Sequence, residues 1–475
     1  MHKVLLLNTN TEKRPYPVPP VGLCMLAAGI EGLYHVKVYD GVFDEGRSLV
    51  SLVVEFEPDV IGFSIRNIDD TVEERLIFYM DEILEKFIRP VRAVTGAPFI
   101  LGGSGFSIFP GEIMKMTGAG YGIAGEAEEL LPVLLSRILG KQDVSDLPNV
   151  YTSPGMKPGA KPTPTVLRPA ARAFPEIDRW VDFTPYRQKG VYSIQTKRGC
   201  CHGCIYCTYP LIEGRKFRLR SPAGIADEIE QACHRLGEVT FEFVDSTFND
   251  PKGHAEDICR EIIRRKLRVR LRTMGINPRH ASMELFELMA SAGFGQIDAT
   301  PDSASPKMLK NLDKGFTRGQ IEKMATMIRK SDLPTMWFFL FGGPGEDEGT
   351  FGETVDFIDR FISPDDLVYM HLGLRIYPDT PLYEIAVKEG KLTPGQSVFQ
   401  PAAYYYSDKI SKNALRNMIR EVSASRHNCL PADETAPSPA MLAEAGEMRR
   451  MNQLTEPMFR TLLRIRRQWK TDGRM

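Results

Sequence analysis

The 475 residues suffice for two or three domains that each bury a core. With 43% apolar and 25% charged residues and a formal net charge of −1, the chain carries no global field that would gather nucleic acid or an anionic membrane. Its longest apolar runs, such as "MWFFLF", fall far short of a membrane span, and "MHKVLLLNTN" reads as a strand and not a signal peptide, so a cytoplasmic, reducing location without a transmembrane segment is expected.

The first 140 residues alternate short β runs with helical patterns. Strands are predicted at 3–8, 36–40, 59–65, 98–103 and 121–125. Between them, "GLCMLAAGIEGL" and "TVEERLIFYMDEILEKF" carry apolar residues at the three-and-four spacing of buried helix faces. The alternation predicts a Rossmann-like, doubly wound parallel sheet. Ligands of such sheets lie beyond the carboxyl ends of the strands. Those ends carry Asn8, Asp40, Ser64, Arg66, Asn67, Gly102, Gly103, Gly125 and Glu126. Residues 141–190 change character: six prolines fall between Pro154 and Pro175, which reads as a linker holding a small hairpin.

From Val191 the rhythm resumes with six units, whose strands are predicted near 191–196, 239–245, 268–273, 295–299, 335–341 and 367–375. Ser221 can cap a helix that Pro222 opens and Gly237 stops, with Ile225, Ile229, Ala232 and Leu236 on one side. Six consecutive units over 191–390 predict an open (β/α)6 barrel of the TIM type, with catalytic groups at the strand C-termini. The extension 391–475 is expected to be mostly helical. Residues 430–446 read as a flexible segment. Residues 455–470 read as a basic amphipathic helix, with Arg464, Arg466 and Arg467 on a solvated face or toward an anionic partner.

Half of the eight cysteines fall in "QTKRGCCHGCIYCTYP" (195–210), directly after the first barrel strand. In a reducing compartment such clusters bind metal more often than they form disulfides. Cys200-x3-Cys204-x2-Cys207 suits one iron–sulfur cube, and three thiolates on four irons leave one iron open for chemistry. A zinc site remains an alternative, with Cys204, Cys207 and Cys200 or Cys201 joined by His202, Cys233 or His234 as the fourth ligand. No second Cys-x2-Cys pair exists to close a conventional structural site. The register Cys201–Cys204–Cys207 also holds three ligands.

The Cys-x3-Cys-x2-Cys motif, with Tyr206 before its last cysteine and a (β/α)6 barrel around it, resembles the radical S-adenosylmethionine (SAM) superfamily. The resemblance implies that Cys200, Cys204 and Cys207 hold a 4Fe-4S cluster, with Cys201 a bystander. SAM would bind the open iron and yield a 5′-deoxyadenosyl radical. It also implies cofactor contacts at Tyr206; at Asp245, Ser246 and Asn249 after the second strand; and at Asp298, Thr300, Asp302 and Ser303 along the fourth. Gly342 and Gly343 of "FGGPGED" after the fifth strand, and Arg375, Tyr377 and Thr380 after the sixth, complete the set. Bland readings stand beside these: an Asx turn at 245–249, and a helix cap at Ser305. His371 reads as an interior histidine. "EGRKFRLRS" (213–221) offers cations for a carboxylate or phosphate, or only a solvated loop.

"PVPPVGLCMLAAGI", "IGFSIRN", "ILGGSGFSIFPGEIM" and "YGIAGEAEELLPVLL" precede the cysteine loop in that order. Together they resemble the cobalamin-binding domain of cobalamin-dependent radical SAM proteins, as do "TYPLIEGR", "LDKGFT" and "RIYPDTPLY" downstream. Many cobalamin domains carry Asp-x-His-x-x-Gly, but "YDGVFDEG" has no histidine, so the lower cobalt face would meet Arg66, Asn67 or water. The resemblance implies a methyltransferase acting on an unactivated carbon of a small-molecule or lipid substrate. It would work through the adenosyl radical and methylcobalamin, with flavodoxin or ferredoxin as electron donor. Cyclisation, ring contraction or oxidation without net methyl transfer, or a domain that has lost cobalamin, would use the same motifs. A methylthiotransferase would need further cysteines in the first domain, which has only Cys24. A zinc-stabilised binding module is the alternative of a different class.

Overall fold

The computed structural model describes residues 1–153, 175–434 and 436–474. The N-terminal domain is a six-stranded sheet of β1 (Lys3–Asn8), β2 (His35–Asp40), β3 (Val60–Ser64), β4 (Phe99–Gly102), β5 (Tyr121–Ile123) and β6 (Val150–Thr152), in the order β2-β1-β3-β4-β5-β6. All pairs are parallel except β5 with β6. The central strands read "VLLL" and "VIGFS" because helices cover both faces, leaving no solvent side for alternation. Strand β6 carries the domain past residue 140. Three half-buried residues at an antiparallel edge give a sequence scan no periodicity to find.

The second sheet comprises β7 (Tyr192–Ile194), β10 (Thr240–Phe243), β11 (Arg270–Ile276), β12 (Phe294–Asp302), β13 (Thr335–Phe341), β14 (Leu367–Leu372) and β17 (Cys429–Pro431), all parallel, in the order β17-β14-β13-β12-β11-β10-β7. Two small antiparallel pairs complete the set: β8 (Lys197–Arg198) with β9 (Arg218–Leu219), and β15 (Leu374–Arg375) with β16 (Tyr404–Tyr405). The six expected barrel strands are present, and β17 adds a seventh at the far edge. The helix Pro222–Leu236 is built as its sequence requires: the Ser221 hydroxyl accepts from Gly224 N, and Gly237 ends it at φ 71°.

The barrel is asymmetric across its wall. Along β13 the outward residues Thr335, Trp337, Phe339 and Phe341 are buried under helices, whereas the inward Met336, Phe338 and Leu340 stay partly accessible. The inner wall is therefore less tightly packed than the outer one. The floor of the lumen is sealed from an unexpected quarter. Phe459 and Leu463, on the helix Met458–Thr471, pack against Leu367, Met336, Tyr369 and Leu430.

Of the stretch 430–446, expected to be flexible, the described residues are held in regular structure and packing. It continues β17 and then forms the helix Pro439–Met451, which packs on Ile465 and Trp469 of the last helix. Its own apolar pattern is weak, so it is long-range packing that holds it. The last helix is amphipathic as expected, but Arg466 turns inward and donates to the Ser423 hydroxyl (3.2 Å). The small hairpin expected in the linker falls mainly outside the described residues. At the linker's end, helices Ile177–Trp180 and Thr184–Lys189 join the barrel's core.

One hydrophobic cluster crosses the domain boundary. Leu5, Phe63 and Phe106 of the first domain share it with Ile205, Met308, Leu312, Leu374 and Ile376 of the second. Burying a side chain such as Ile205 contributes about 1.5–3 kcal/mol, so the two domains are packed together and not merely tethered. Among the described residues no helix is long and apolar enough to cross a membrane.

Candidate active site

The cysteine loop leaves the C-terminal end of β7 and is held at both ends. Gly199 sits at φ 89°, where a side chain would overlap the Lys216 carbonyl oxygen. Cys200 N donates to Gly214 O (3.0 Å), Cys207 N to Cys204 O (3.1 Å), and Ile205 N to Leu312 O (3.2 Å). Cys200 is buried, Cys204 and Cys207 are half-buried, and Cys201 is exposed. Burial pushes the Cys207 thiol up to about 12, and the nearby Cys204 and Cys200 sulfurs add to the rise. Coordination to iron would deprotonate such thiols outright.

Behind the loop lies a fully buried ion pair. Lys197 Nζ is 3.0 Å from Asp245 Oδ2 and also donates to Phe248 O (3.1 Å). Asp245 takes Thr196 Oγ1 on Oδ2, and the backbone N–H groups of Thr196 and Lys197 on Oδ1. With both oxygens already engaged within the protein, Asp245 braces the strand end. Asn249 is likewise spent: it accepts from Asn277 N (2.7 Å) and donates to Asn277 O (2.9 Å). Ser246 remains at the loop, its hydroxyl donating to Gly199 O (3.3 Å) beside Cys200.

Opposite Ser246 lies a buried triad. Tyr206 Oη donates to Asp302, and Lys314 Nζ reaches Asp302 Oδ2 (2.5 Å) and Tyr206 Oη (3.1 Å). Asp302 adopts φ 62°, an uncommon conformation for a non-glycine residue, and its ion pair holds it there. Lys314 also faces Cys204, where its charge works against the rise that burial imposes on that thiol. The lysine was legible only as part of "LDKGFT", with no spacing rule to tie it to a cysteine 110 residues earlier.

The first domain has its switch point at the gap between the C-terminal ends of β1 and β3, and the segment after β3 meets the second domain through Asp69, which pairs with Arg375. Asn67 Nδ2 donates to Asn10 Oδ1 (3.1 Å), and the Thr9 hydroxyl donates to Ser64 O (2.9 Å). Arg66 is exposed and, among the described residues, its guanidinium has no ion-pair partner. Its field reaches Tyr186 and Tyr209, the latter two residues past Cys207. Gly103, at φ 97°, lets the chain pass the Ile65 carbonyl, where a Cβ would come within 2.5 Å.

Comparison with known proteins agrees with this arrangement. Residues 194–358 match the model of the radical SAM superfamily, and residues 8–135 match that of the B12 binding domain. The chain is a cobalamin-dependent radical SAM enzyme. A tryptophan 2-C-methyltransferase of Streptomyces laurentii is 27% identical over 443 residues, spanning 79% of this chain and 73% of that one. The structure of TsrM from Kitasatospora setae, a radical SAM methyltransferase with tryptophan substrate and a SAM analogue bound, superposes at TM-score 0.82 with 24% identity over all of both chains. That of OxsB, a cobalamin-dependent SAM radical enzyme, gives TM-score 0.72 at 15% identity, over 95% of this chain and 71% of that one.

The donor set of this enzyme fits a cubane better than a single ion. Among the described residues no three His, Cys, Asp or Glu side chains converge on one metal position. A cube, whose thiolates each bind a separate iron, does not require such convergence. The other zinc donors are engaged elsewhere: His202 Nε2 lies 2.7 Å from Asp250, and Cys233 packs on the barrel core.

Other expected contacts divide. Gly342 (φ 101°) and Gly343 form a loop that Glu346 closes, accepting from Gly342 N (3.1 Å) and the Thr350 hydroxyl (3.0 Å). Burial raises the Glu346 carboxyl to about 7. Ser303 is spent locally, its hydroxyl sharing a hydrogen bond with Thr354 (3.1 Å) and accepting from Ser305 N (3.1 Å). The cap expected of the Ser305 side chain is not made: Ser305 stands at the N-cap of the helix Pro306–Asn311 without a side-chain capping bond. Thr380 caps its helix by accepting from Tyr383 N (3.4 Å), and its hydroxyl donates to Tyr377 O (2.7 Å).

Arg375 spans the domain boundary. Its Nε pairs with buried Asp69 (3.0 Å) and its Nη1 donates to Ile376 O (2.8 Å), while Nη2 is buried without a partner, an orphan donor at the mouth. Glu126 forms ion pairs with Arg218 and with Arg198 (3.4 Å), so these two cations clamp the two domains. The glycine before it, Gly125, lies beside Ile212 of the barrel, where an added Cβ would sit 3.7 Å from the carbonyl oxygen.

Proposed function

We propose that this enzyme is a C-methyltransferase acting on an unactivated carbon of a small molecule. One observation carries the reading: three free thiols stand at the barrel mouth, and buried ion pairs lock the barrel to a B12-binding sheet. The methyltransferase named above, similar over most of its length, supports the same chemistry. When bound, the 4Fe-4S cluster and SAM supply a 5′-deoxyadenosyl radical and cobalamin supplies a transferable methyl group.

The residues divide the work. Cys200, Cys204 and Cys207 hold the cluster, and Cys201, facing solvent, does not. Lys314 sets a positive charge beside Cys204 and fixes Tyr206 through Asp302. Ser246, the Gly342–Gly343 loop and the spare Nη2 of Arg375 face SAM. Ser64, Arg66, Asn67, Gly102, Gly103 and Gly125 line the cobalamin side, where Arg66 offers a cation without an ion-pair partner among the described residues. The packed domain boundary excludes water from the space between, so orientation is the protein's main contribution. Flavodoxin or ferredoxin is the electron donor.

The test is anaerobic reconstitution with iron, sulfide and hydroxocobalamin, followed by SAM, reductant and mass analysis of products. The expected outcome is a protein retaining about four irons and cobalamin, with 5′-deoxyadenosine formed. Failure to retain cobalamin would remove methyl transfer. Undiminished 5′-deoxyadenosine from Cys204→Ala would remove the radical reading. Replacing Cys201 should spare the iron content, whereas replacing Cys200 should not.

A further inference from the structure

The barrel lumen holds a second polar cluster, below the mouth and outside the cysteine loop. Glu242 of β10, Arg272 of β11 and Asp298 of β12 all lie on the inward side, since their neighbours Phe241, Leu271 and Ile297 pack outward in the core. Tyr16 enters from the first domain. Its ring lies over the Arg272 guanidinium at 3.5 Å and its hydroxyl donates to Glu242.

The cluster is chemically unfinished. Arg272 Nε is 2.9 Å from Glu242 at an angle that forms no hydrogen bond, and its Nη2 is buried with no partner. Asp298 is 8% exposed and accepts one bond, from Gln296 (3.1 Å) to Oδ1. No donor reaches its Oδ2 among the described residues. Burial and the Glu242 charge raise this carboxyl to about 7, the state of an acid waiting for a cation. Leaving the buried Arg272 donor unsatisfied is costly, so a ligand that completes it gains that desolvation penalty, and the free Asp298 oxygen offers the same ligand an acceptor.

Above Asp298 the wall is aromatic. Tyr369 stacks on Phe338 with ring centroids 5.2 Å apart, and His371 follows one inward position higher. These rings are partly accessible while their outward neighbours are buried, so they face the lumen. From Asp298 to Asp302, beside the cysteine loop, is at most about 13 Å along β12.

We infer that the lumen binds the substrate as a zwitterion, an α-amino acid with an aromatic side chain, whose carboxylate meets Arg272 Nη2 and whose ammonium meets Asp298. This rests on the methyltransferase reading, because it takes the mouth above as the place of reaction. The side chain then lies along Phe338 and Tyr369 and points at the mouth, and Tyr16 couples the occupied site to the first domain.

The test is equilibrium dialysis of the reconstituted full chain, with iron and cobalamin measured on the same sample. The probes are L-tryptophan, L-tyrosine, L-phenylalanine and L-histidine. The analogues of whichever binds best follow, one lacking the carboxylate and one lacking the amine (tryptamine and indole-3-propionate for tryptophan). At least one amino acid should bind, and each analogue at least tenfold more weakly. Arg272→Met should abolish discrimination against the amine, and Asp298→Asn that against the acid. If Arg272→Met is unfolded for want of a partner for Glu242, the pair Glu242→Gln/Arg272→Met carries the same test. Binding by none of the four, or discrimination unchanged in the variants, overturns the inference. A sample without cobalamin that still binds the amino acid would remove methyl transfer and leave this site standing.

Discussion

Substituting Lys197 by methionine tests whether the cluster loop rests on a buried ion pair. Lys197 Nζ and Asp245 Oδ2 are 3.0 Å apart and both side chains are wholly inaccessible. Methionine preserves the stem but removes the ammonium and its bond to Phe248 O, and it leaves a carboxylate buried without its cation. Breaking a buried pair from one side costs about 3–5 kcal/mol. Asp245→Asn should cost less, about 1–3 kcal/mol, since the amide keeps one acceptor for the Thr196 and Lys197 N–H groups. The double variant should fall well short of the sum, because neither charge is then stranded. Urea unfolding of the anaerobically prepared protein measures the three costs, with iron content and SAM affinity recorded alongside. Lys197→Met should also lose iron, because Thr196 and Lys197 lead directly into the cysteines. A cost below about 1 kcal/mol, the range of an exposed pair, would refute the brace. So would an Asp245→Asn variant of full stability whose SAM affinity alone is lost, since that is the signature of a cofactor contact.

Three further outcomes follow from single residues. Gly199→Ala puts a Cβ on the Lys216 carbonyl at φ 89°, so it should cost roughly 1–3 kcal/mol and lower iron content, read by unfolding and by metal analysis. The Glu346 carboxyl is raised from 4.5 to about 7, so the folded state binds its proton more tightly than the unfolded chain does. The stability this contributes is complete below pH 4.5 and is lost as pH rises through about 7, a change of up to about 3 kcal/mol. Glu346→Gln should therefore flatten the stability profile between pH 5 and 8, measured by urea midpoints across that range. Phe459→Ala opens the floor of the lumen and should cost about 3–5 kcal/mol in unfolding experiments, as a large core truncation does.

What the sequence determined by itself is whatever local chemistry and period dictate. Both parallel sheets follow from short apolar runs alternating with helical stripes, and the cysteine loop from a spacing only a few residues long. The capped helix after Ser221 is of the same kind, since cap, first turn and stop are all local. What the tertiary structure decided is how each polar group is spent. Asp245, Ser303 and Glu126 stand at strand ends as expected, yet buried partners from other segments consume them: Lys197 across 48 residues, Thr354 across 51 and Arg218 across 92. Nothing in a linear pattern reports a pairing at that range. The same holds for Lys314 beside Cys204, for Tyr16 inside the barrel, and for the last helix under its floor. Each is placed by packing between segments with no shared period, because burial leaves a charge only the partner that the fold brings to it.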